Sequence, residues 1–216
     1  MIRLSNLVKS YSQGEKTEKI IDIKSLEIRQ GEKIALMGES GSGKTTFLNL
    51  LSGLVRPDKG VIDINGVDVA GLSERDADQF RGAHIGYLFQ SFFLLETFSA
   101  LENVELGMLF GAGKPKREVA TEALKKVGLG NRLNYLPSKL SVGQQSRVAL
   151  ARAVVNKPSL VLADEPTGSL DVVNTAKVLD LLFSQVEQTN STLICATHSQ
   201  DLANEFDRTL AVGDLR

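Results

Sequence analysis

Gly38-Glu-Ser-Gly-Ser-Gly-Lys-Thr45 is the stretch that decides the fold, because it spells the phosphate-binding loop G-x-x-x-x-G-K-[ST]. Gly38, Gly43, Lys44 and Thr45 hold its four fixed positions, with Glu39, Ser40, Gly41 and Ser42 between them and Thr46 directly after. Each residue type has its own task on a nucleotide. Glycines let successive backbone N–H groups turn inward toward phosphate oxygens. Lys44 brings a mobile positive charge to the β- and γ-phosphates, and the Thr45 hydroxyl is suited to ligate Mg²⁺. A following helix adds the positive end of its dipole. The flanks fit this reading: the apolar run Ile34-Ala-Leu-Met37 comes before, and a helix-like run from Thr45 to Leu54 comes after. A merely flexible glycine-rich turn would require neither. The pattern therefore predicts a strand, a phosphate loop and a helix that bind a nucleoside triphosphate.

Bulk properties narrow the field. With 216 residues the chain can bury the core of one domain with a subdomain, but not two nucleotide-binding domains. The 26 acidic and 25 basic side chains nearly cancel, so no broad basic surface points to nucleic acid, and no direct nucleic-acid partner is expected. The single cysteine, Cys195, lies in an apolar run and reads as a buried thiol in a reducing compartment. Met1-Ile-Arg-Leu-Ser-Asn6 lacks the layout of a signal peptide. No apolar run approaches the roughly 20 residues that span a bilayer. A soluble protein is expected, with any membrane role supplied through a partner.

Hydrophobic periodicity gives an α/β protein with short connections. Ile2 to Val8, Ile23 to Ile28 and Gly60 to Ile64 read as strands of an N-terminal antiparallel layer. Lys33 to Met37, Ile85 to Phe89, Leu160 to Ala163 and Thr192 to Thr197 are nearly continuous apolar runs, the pattern of a parallel sheet covered on both faces. From about 91 to 157 strand signals are sparse and helical patterns recur, at Ser99 to Leu109, Lys116 to Val127 and Ser141 to Asn156. That stretch reads as a helical subdomain inserted in one domain covering residues 1–216.

Each apolar run is followed by a residue suited to phosphate chemistry. The loop follows Met37, Gln90 follows Phe89, Asp164-Glu165 follows Ala163, and His198 follows Thr197. In open α/β sheets ligands bind beyond the carboxyl ends of the strands, so these elements are expected at one edge. Asp164 suits the Mg²⁺ site and Glu165 is placed to polarise the attacking water. His198 can donate to a γ-phosphate oxygen, and Gln90 can link the metal or the water to whatever moves outside. His84 gets a structural role. Leu140-Ser-Val-Gly-Gln-Gln145 precedes the last helix of the inserted stretch. Ser141 with Gln144 forms an S-x-x-Q capping box, and the same serine, backbone N–H groups and helix dipole form a candidate second anion site. Placed on the insertion, that site would serve the phosphate loop of a second subunit.

Together these residues resemble the ATP-binding subunit of ABC transporters over essentially the whole chain. The resemblance rests on the phosphate loop, the glutamine loop at Gln90, the signature at Leu140 to Gln144 and the acidic strand end at Asp164-Glu165. It extends to Ser169-Leu-Asp171, similar to the loop that crosses the dimer, and to His198, similar to the switch histidine. It also gives Tyr11 the place of the aromatic residue that stacks on adenine. What it implies is an ATPase with ATP and Mg²⁺, the metal held by Thr45, Gln90 and Asp164. A head-to-tail homodimer would sandwich ATP between the phosphate loop of one copy and Ser141, Gly143, Gln144 and Asp171 of the other. An integral membrane permease would be the driven partner, with the cassette cytoplasmic on the inner face of the membrane. Phe89 to Leu95, Ala100 to Val104 and Leu162 to Asp171 look like the branch serving lipoprotein release, macrolide export and cell division, and Phe92 to Leu95 form an apolar cluster suited to docking or packing. Val142 departs from the usual L-S-G-G-Q, and a β-branched residue dislikes positive φ. Of the competing classes, a soluble DNA or ribosome ATPase would carry coiled coils, zinc modules or two linked ATPase domains. A GTPase would carry N-K-x-D.

Overall fold

The computed structural model describes residues 1–14, 16–109, 111 and 113–215. The chain begins with strands β1 (Ile2–Gln13), β2 (Lys16–Ile28) and β3 (Lys33–Met37), then helix α1 (Lys44–Leu51). Strands β4 (Lys59–Ile64) and β5 (Val67–Asp68), helix α2 (Glu74–His84) and strand β6 (Ile85–Leu88) follow. Next come helices α3 (Ala100–Leu109), α4 (Arg117–Lys126) and α5 (Val142–Val154), strand β7 (Leu160–Asp164) and helix α6 (Val172–Thr189). Strand β8 (Thr192–Thr197), helix α7 (Gln200–Ala203) and strand β9 (Arg208–Ala211) complete the order. Residue contacts group these into two compact units, Met1–Ala77 with Thr192–Arg216, and Asp78–Ser191.

The first unit contains an antiparallel sheet in the order β2-β1-β4-β5. Ile2 faces Ile28 on one side of β1 and Ile64 on the other. Alternate residues Ile2, Leu4, Ile62 and Ile64 are buried, the period-2 pattern of a sheet with one covered face. Strands β1 and β2 run on past Val8 and begin before Ile23, forming a longer hairpin than the apolar alternation alone predicts. The same unit holds parallel strands, with β3 paired to β8 and to β9. Ile34, Ala35 and Leu36 are all fully buried, as continuous apolar runs in covered parallel strands should be. Helix α1 sets Phe47, Leu48, Leu50 and Leu51 into the core, and Cys195 is a buried free thiol.

In the second unit β6 and β7 pair in parallel, Gly86 opposite Val161. Helix α5 packs on β6, α3, α4 and α6, burying Val148, Ala149, Leu150 and Ala151. The three helical patterns expected between 99 and 156 are present as α3, α4 and α5. His84 closes α2 instead of opening the next strand, with its ring 4.8 Å from that of Phe80. The mixed α/β architecture with parallel strands and an N-terminal antiparallel layer agrees with the sequence. Among the described residues no helix is long and apolar enough to cross a membrane.

One approach in this unit leaves no room for a side chain. A Cβ on Gly86 would lie 2.3 Å from the carbonyl oxygen of Ala153 on α5. Gly86→Ala therefore pushes β6 off α5, an overpacking cost of about 2–3 kcal/mol. Thermal denaturation should show the melting temperature falling by roughly 4–12 °C.

Candidate functional site

The phosphate loop lies in the first unit, between β3 and α1. Gly43 caps α1 with φ 113°, a backbone region that glycine alone adopts without strain. Space excludes a side chain there too, since a Cβ would stand 2.6 Å from Cγ2 of Ile20 on β2. The Lys44 ammonium is buried and donates to the carbonyls of Gly38 (2.8 Å) and Glu39 (3.0 Å). Gly38, Glu39, Ser40, Gly41 and Ser42, with Val212 and Gly213, line a cavity of about 330 Å³, within the usual range for small-ligand pockets. Thr45 is exposed and Thr46 half-buried on the first turn of α1. The same unit carries His198, exposed just beyond β8. Tyr11 sits on β1, opposite Glu18, rather than in a loop. Its ring is 45% exposed, and the Lys9 ammonium lies 5.3 Å from the ring centroid.

The acidic strand end belongs to the second unit. Asp164 is the last residue of β7, and Glu165 follows with φ 45°. Holding a non-glycine residue in that region costs on the order of 1–3 kcal/mol and recurs at functional sites. Burial first, then the charge of Asp164, pushes the Tyr87 phenol pKa upward, so it remains a neutral hydroxyl within reach of that carboxylate. Gln90 is exposed two residues beyond β6. A Cβ built on Gly168 would stand 3.7 Å from both the Gln90 amide nitrogen and a Glu165 carboxylate oxygen. The structure thus brings those two side chains to one spot.

The signature stands at the start of α5 in the same unit. The Ser141 hydroxyl accepts from the backbone N–H of Gln144 at 3.3 Å, and the Gln144 side-chain oxygen accepts from the Ser141 N–H at 3.0 Å. This is the expected capping box. Val142 occupies the first helical position, with ordinary negative φ and an exposed side chain, so its β-branch meets no strain. Gly143 is the crowded position: a Cβ there would lie 2.6 Å from the Asn174 side-chain oxygen. Asn174 is itself held by Asp171, which caps α6 and accepts from the Asn174 backbone N–H (2.9 Å) and side-chain amide (2.6 Å). Those bonds hold the Asp171 carboxyl below the usual carboxylate range. Two motifs that are separate in sequence are therefore in contact through one asparagine.

Residues 21–168, which include the phosphate loop, Gln90, the signature and Asp164-Glu165, match the protein family described as ABC transporter. The chain belongs to that family. It is 43% identical over 99% of its length to YvrO, an uncharacterized ABC transporter ATP-binding protein of Bacillus subtilis, and covers 94% of it. It is likewise 43% identical over 96% of its length to LolD, a lipoprotein-releasing system ATP-binding protein of Treponema denticola, and covers 92% of it. The ATP-binding cassette MJ0796, in a dimeric post-hydrolysis state bound to ADP and Pi, matches with a TM-score of 0.89 at 36% identity. That match covers 98% of this chain and 94% of the other. The protein is an ATP-binding cassette ATPase, homologous to the nucleotide-binding subunits that drive transporters.

Sequence reasoning missed three of the cassette's contact residues: Asn174, Ile20 behind the phosphate loop, and Arg152 on α5. Arg152 left a signal, since it interrupts the apolar run Val148-Ala-Leu-Ala-Arg-Ala-Val-Val155. The Asn174 contact yields a test. Gly143→Ala should lower ATP turnover at least tenfold, because the new methyl displaces either the signature turn or Asn174. Adding Asn174→Gly removes the clash and should recover most of that loss in a steady-state phosphate-release assay. If the double variant is no faster than Gly143→Ala, Asn174 is not what excludes a side chain at 143.

Proposed function

We propose that the cassette hydrolyses ATP at two composite sites in a head-to-tail homodimer and drives a separate integral membrane permease. In this reading Gly38 to Thr46 wrap the phosphates, Lys44 neutralises the β- and γ-oxygens, and the exposed Tyr11 ring stacks on adenine. Glu165 polarises the attacking water. His198 donates to a γ-phosphate oxygen, and Gln90 reports the state of the site to the outside. Ser141, Gly143 and Gln144 of one copy face the ATP on the phosphate loop of the other, with Asp171 at the crossing between them.

The observation that carries this reading is the build of the signature. Ser141, Val142 and Gln144 stand at an accessible helix start, on a compact unit other than the one that carries the phosphate loop. The near full-length relation to a cassette described as dimeric supports a second copy as the ligand's other wall. Residues 91–157 are the helical subdomain of that design. The identity with LolD, and with MacB of Rhodopirellula baltica (43%, covering 99% of this chain and 32% of that protein), supports the lipoprotein-release and macrolide-export branch. With a membrane permease as the driven partner, the cassette would work on the inner face of the cytoplasmic membrane. Phe93 and Leu95 are exposed while Phe92 is buried, so the apolar cluster offers the permease two side chains and anchors with the third.

Magnesium fits the donor set. The Thr45 hydroxyl, the Asp164 carboxylate and the Gln90 amide oxygen are all hard oxygen ligands. When bound, Mg²⁺ supplies positive charge at the β,γ-phosphate oxygens.

Glu165→Gln should lower ATP hydrolysis on the order of 10²–10⁴-fold while ATP still binds and the dimer accumulates on size-exclusion chromatography. Normal turnover in that variant removes Glu165 from the catalytic role. Ser141→Arg tests the composite site separately: turnover should vanish while a fluorescent ATP analogue still binds the monomer. Full-rate turnover by a monomer at high dilution would end the composite model.

A further inference from the structure

Between β6 and α3 the backbone runs from Phe89 to Ser99 without helix or strand. Within it Phe92 and Phe93 both have positive φ, 55° and 44°. Neither is glycine, asparagine or aspartate, so two adjacent residues sit in a region their side chains disfavour. Surrounding structure must hold such a turn in place. The holding group is Arg152 on α5, whose guanidinium donates to the Phe92 carbonyl (2.5 Å) and the Phe93 carbonyl (2.6 Å). Burial pushes the Arg152 pKa down, and among the described residues no carboxylate forms an ion pair with it. Its desolvated charge is met by two carbonyl dipoles that point its way only while the turn keeps this shape.

The other end of the segment is fixed as well. The Phe93 ring meets Phe89 edge-on with centroids 5.1 Å apart, and Phe89 stacks on Tyr87 of β6 at 4.0 Å. The fully buried Asn103 side chain bonds Leu95, Phe98 and Ser99. Gln90 lies in sequence between Phe89 of the aromatic stack and the clamped turn, and its amide and the Glu165 carboxylate both approach Gly168, each 3.7 Å from a Cβ built there.

We infer that Arg152 is a positioning residue for hydrolysis: its paired bonds to the Phe92 and Phe93 carbonyls fix the turn that holds Gln90 where its amide and the Glu165 carboxylate both approach Gly168, tying the signature helix to the glutamine. The inference rests on the roles proposed above for Gln90 and Glu165. A lysine keeps the charge but offers a point ammonium in place of a planar fork, so it cannot hold both carbonyls in parallel.

The test is steady-state ATP turnover by the full chain, with ATP affinity measured separately, for Gln90→Ala, Arg152→Lys and the double variant. Arg152→Lys should lower kcat on the order of 10- to 100-fold, the scale of an ångström-sized misplacement, while affinity for ATP stays within about twofold. A residue acting through Gln90 adds nothing once Gln90 is gone, so the double variant should be no slower than Gln90→Ala. Phe93→Gly placed on Arg152→Lys should recover much of the rate, because glycine keeps positive φ unaided. If Gln90→Ala turns over normally, the role given to Gln90 fails, and this inference with it. If Gln90→Ala is slow but the two losses multiply in the double variant, the inference alone is overturned. Should Arg152→Lys not fold, Phe93→Pro breaks the turn from its exposed side with Arg152 intact. A normal kcat there overturns the inference, and a loss that disappears in the Gln90→Ala background supports it.

Discussion

The last turn of α5 constrains everything around it in its unit. Two glycines press against its carbonyls: a Cβ on Gly86 would lie 2.3 Å from the Ala153 oxygen, and one on Gly107 would lie 2.8 Å from that of Arg152. Strand β6 and helix α3 thereby close on the same helical turn from different directions. Asn156, just beyond, donates its side-chain amide to the Gly82 and Gly107 carbonyls at 2.9 and 2.7 Å. Close packing of this kind transmits displacement instead of absorbing it. The helix rises about 1.5 Å per residue, so its 13 residues carry that fixed end to the signature roughly 20 Å away. The signature is therefore oriented by a contact at the far end of its own helix.

The phosphate loop is held by a different principle, local and backbone-based. Ile20 closes the space behind Gly43, and the Lys44 ammonium spends two of its three N–H donors on the carbonyls of Gly38 and Glu39. Those bonds keep a buried cation satisfied.

Most of this architecture is legible in the sequence because it obeys short-range rules. Continuous apolar runs place the parallel strands, and the S-x-x-Q box places the start of α5. The phosphate loop carries its own spacing. Other features obey no such rule. Strand β1 extends through Lys9 to Gln13, paired with the start of β2, where a mostly polar sequence erases the alternation and the register shifts between Lys9 and Ser10. Among the described residues strand β9 pairs with β3 alone, at a sheet margin, and reads Arg-Thr-Leu-Ala, with too little apolar content to declare itself. The contacts of Asn174 with Gly143 and of Arg152 with Phe92 span long loops, the latter across 60 residues. Nothing in local composition encodes a partner at that separation. The departure at Val142 becomes ordinary once the position is seen to be helical.

The same geometry removes an apparent choice about the signature. A capping box and an anion site look like rival uses of Ser141 and Gln144, but they draw on different atoms. The box uses both side chains as acceptors: the serine oxygen takes the Gln144 N–H, and the glutamine oxygen takes the Ser141 N–H. The serine O–H proton and the two amide N–H protons of Gln144 are donors, and the box consumes none of them. An anion needs donors. Fixing the acceptors therefore holds both side chains in place and leaves their donors uncommitted to the box, beside the helix dipole that favours negative charge. In the proposed dimer, capping the helix would also preorganise the anion site, so a substitution that removes the cap is expected to weaken both.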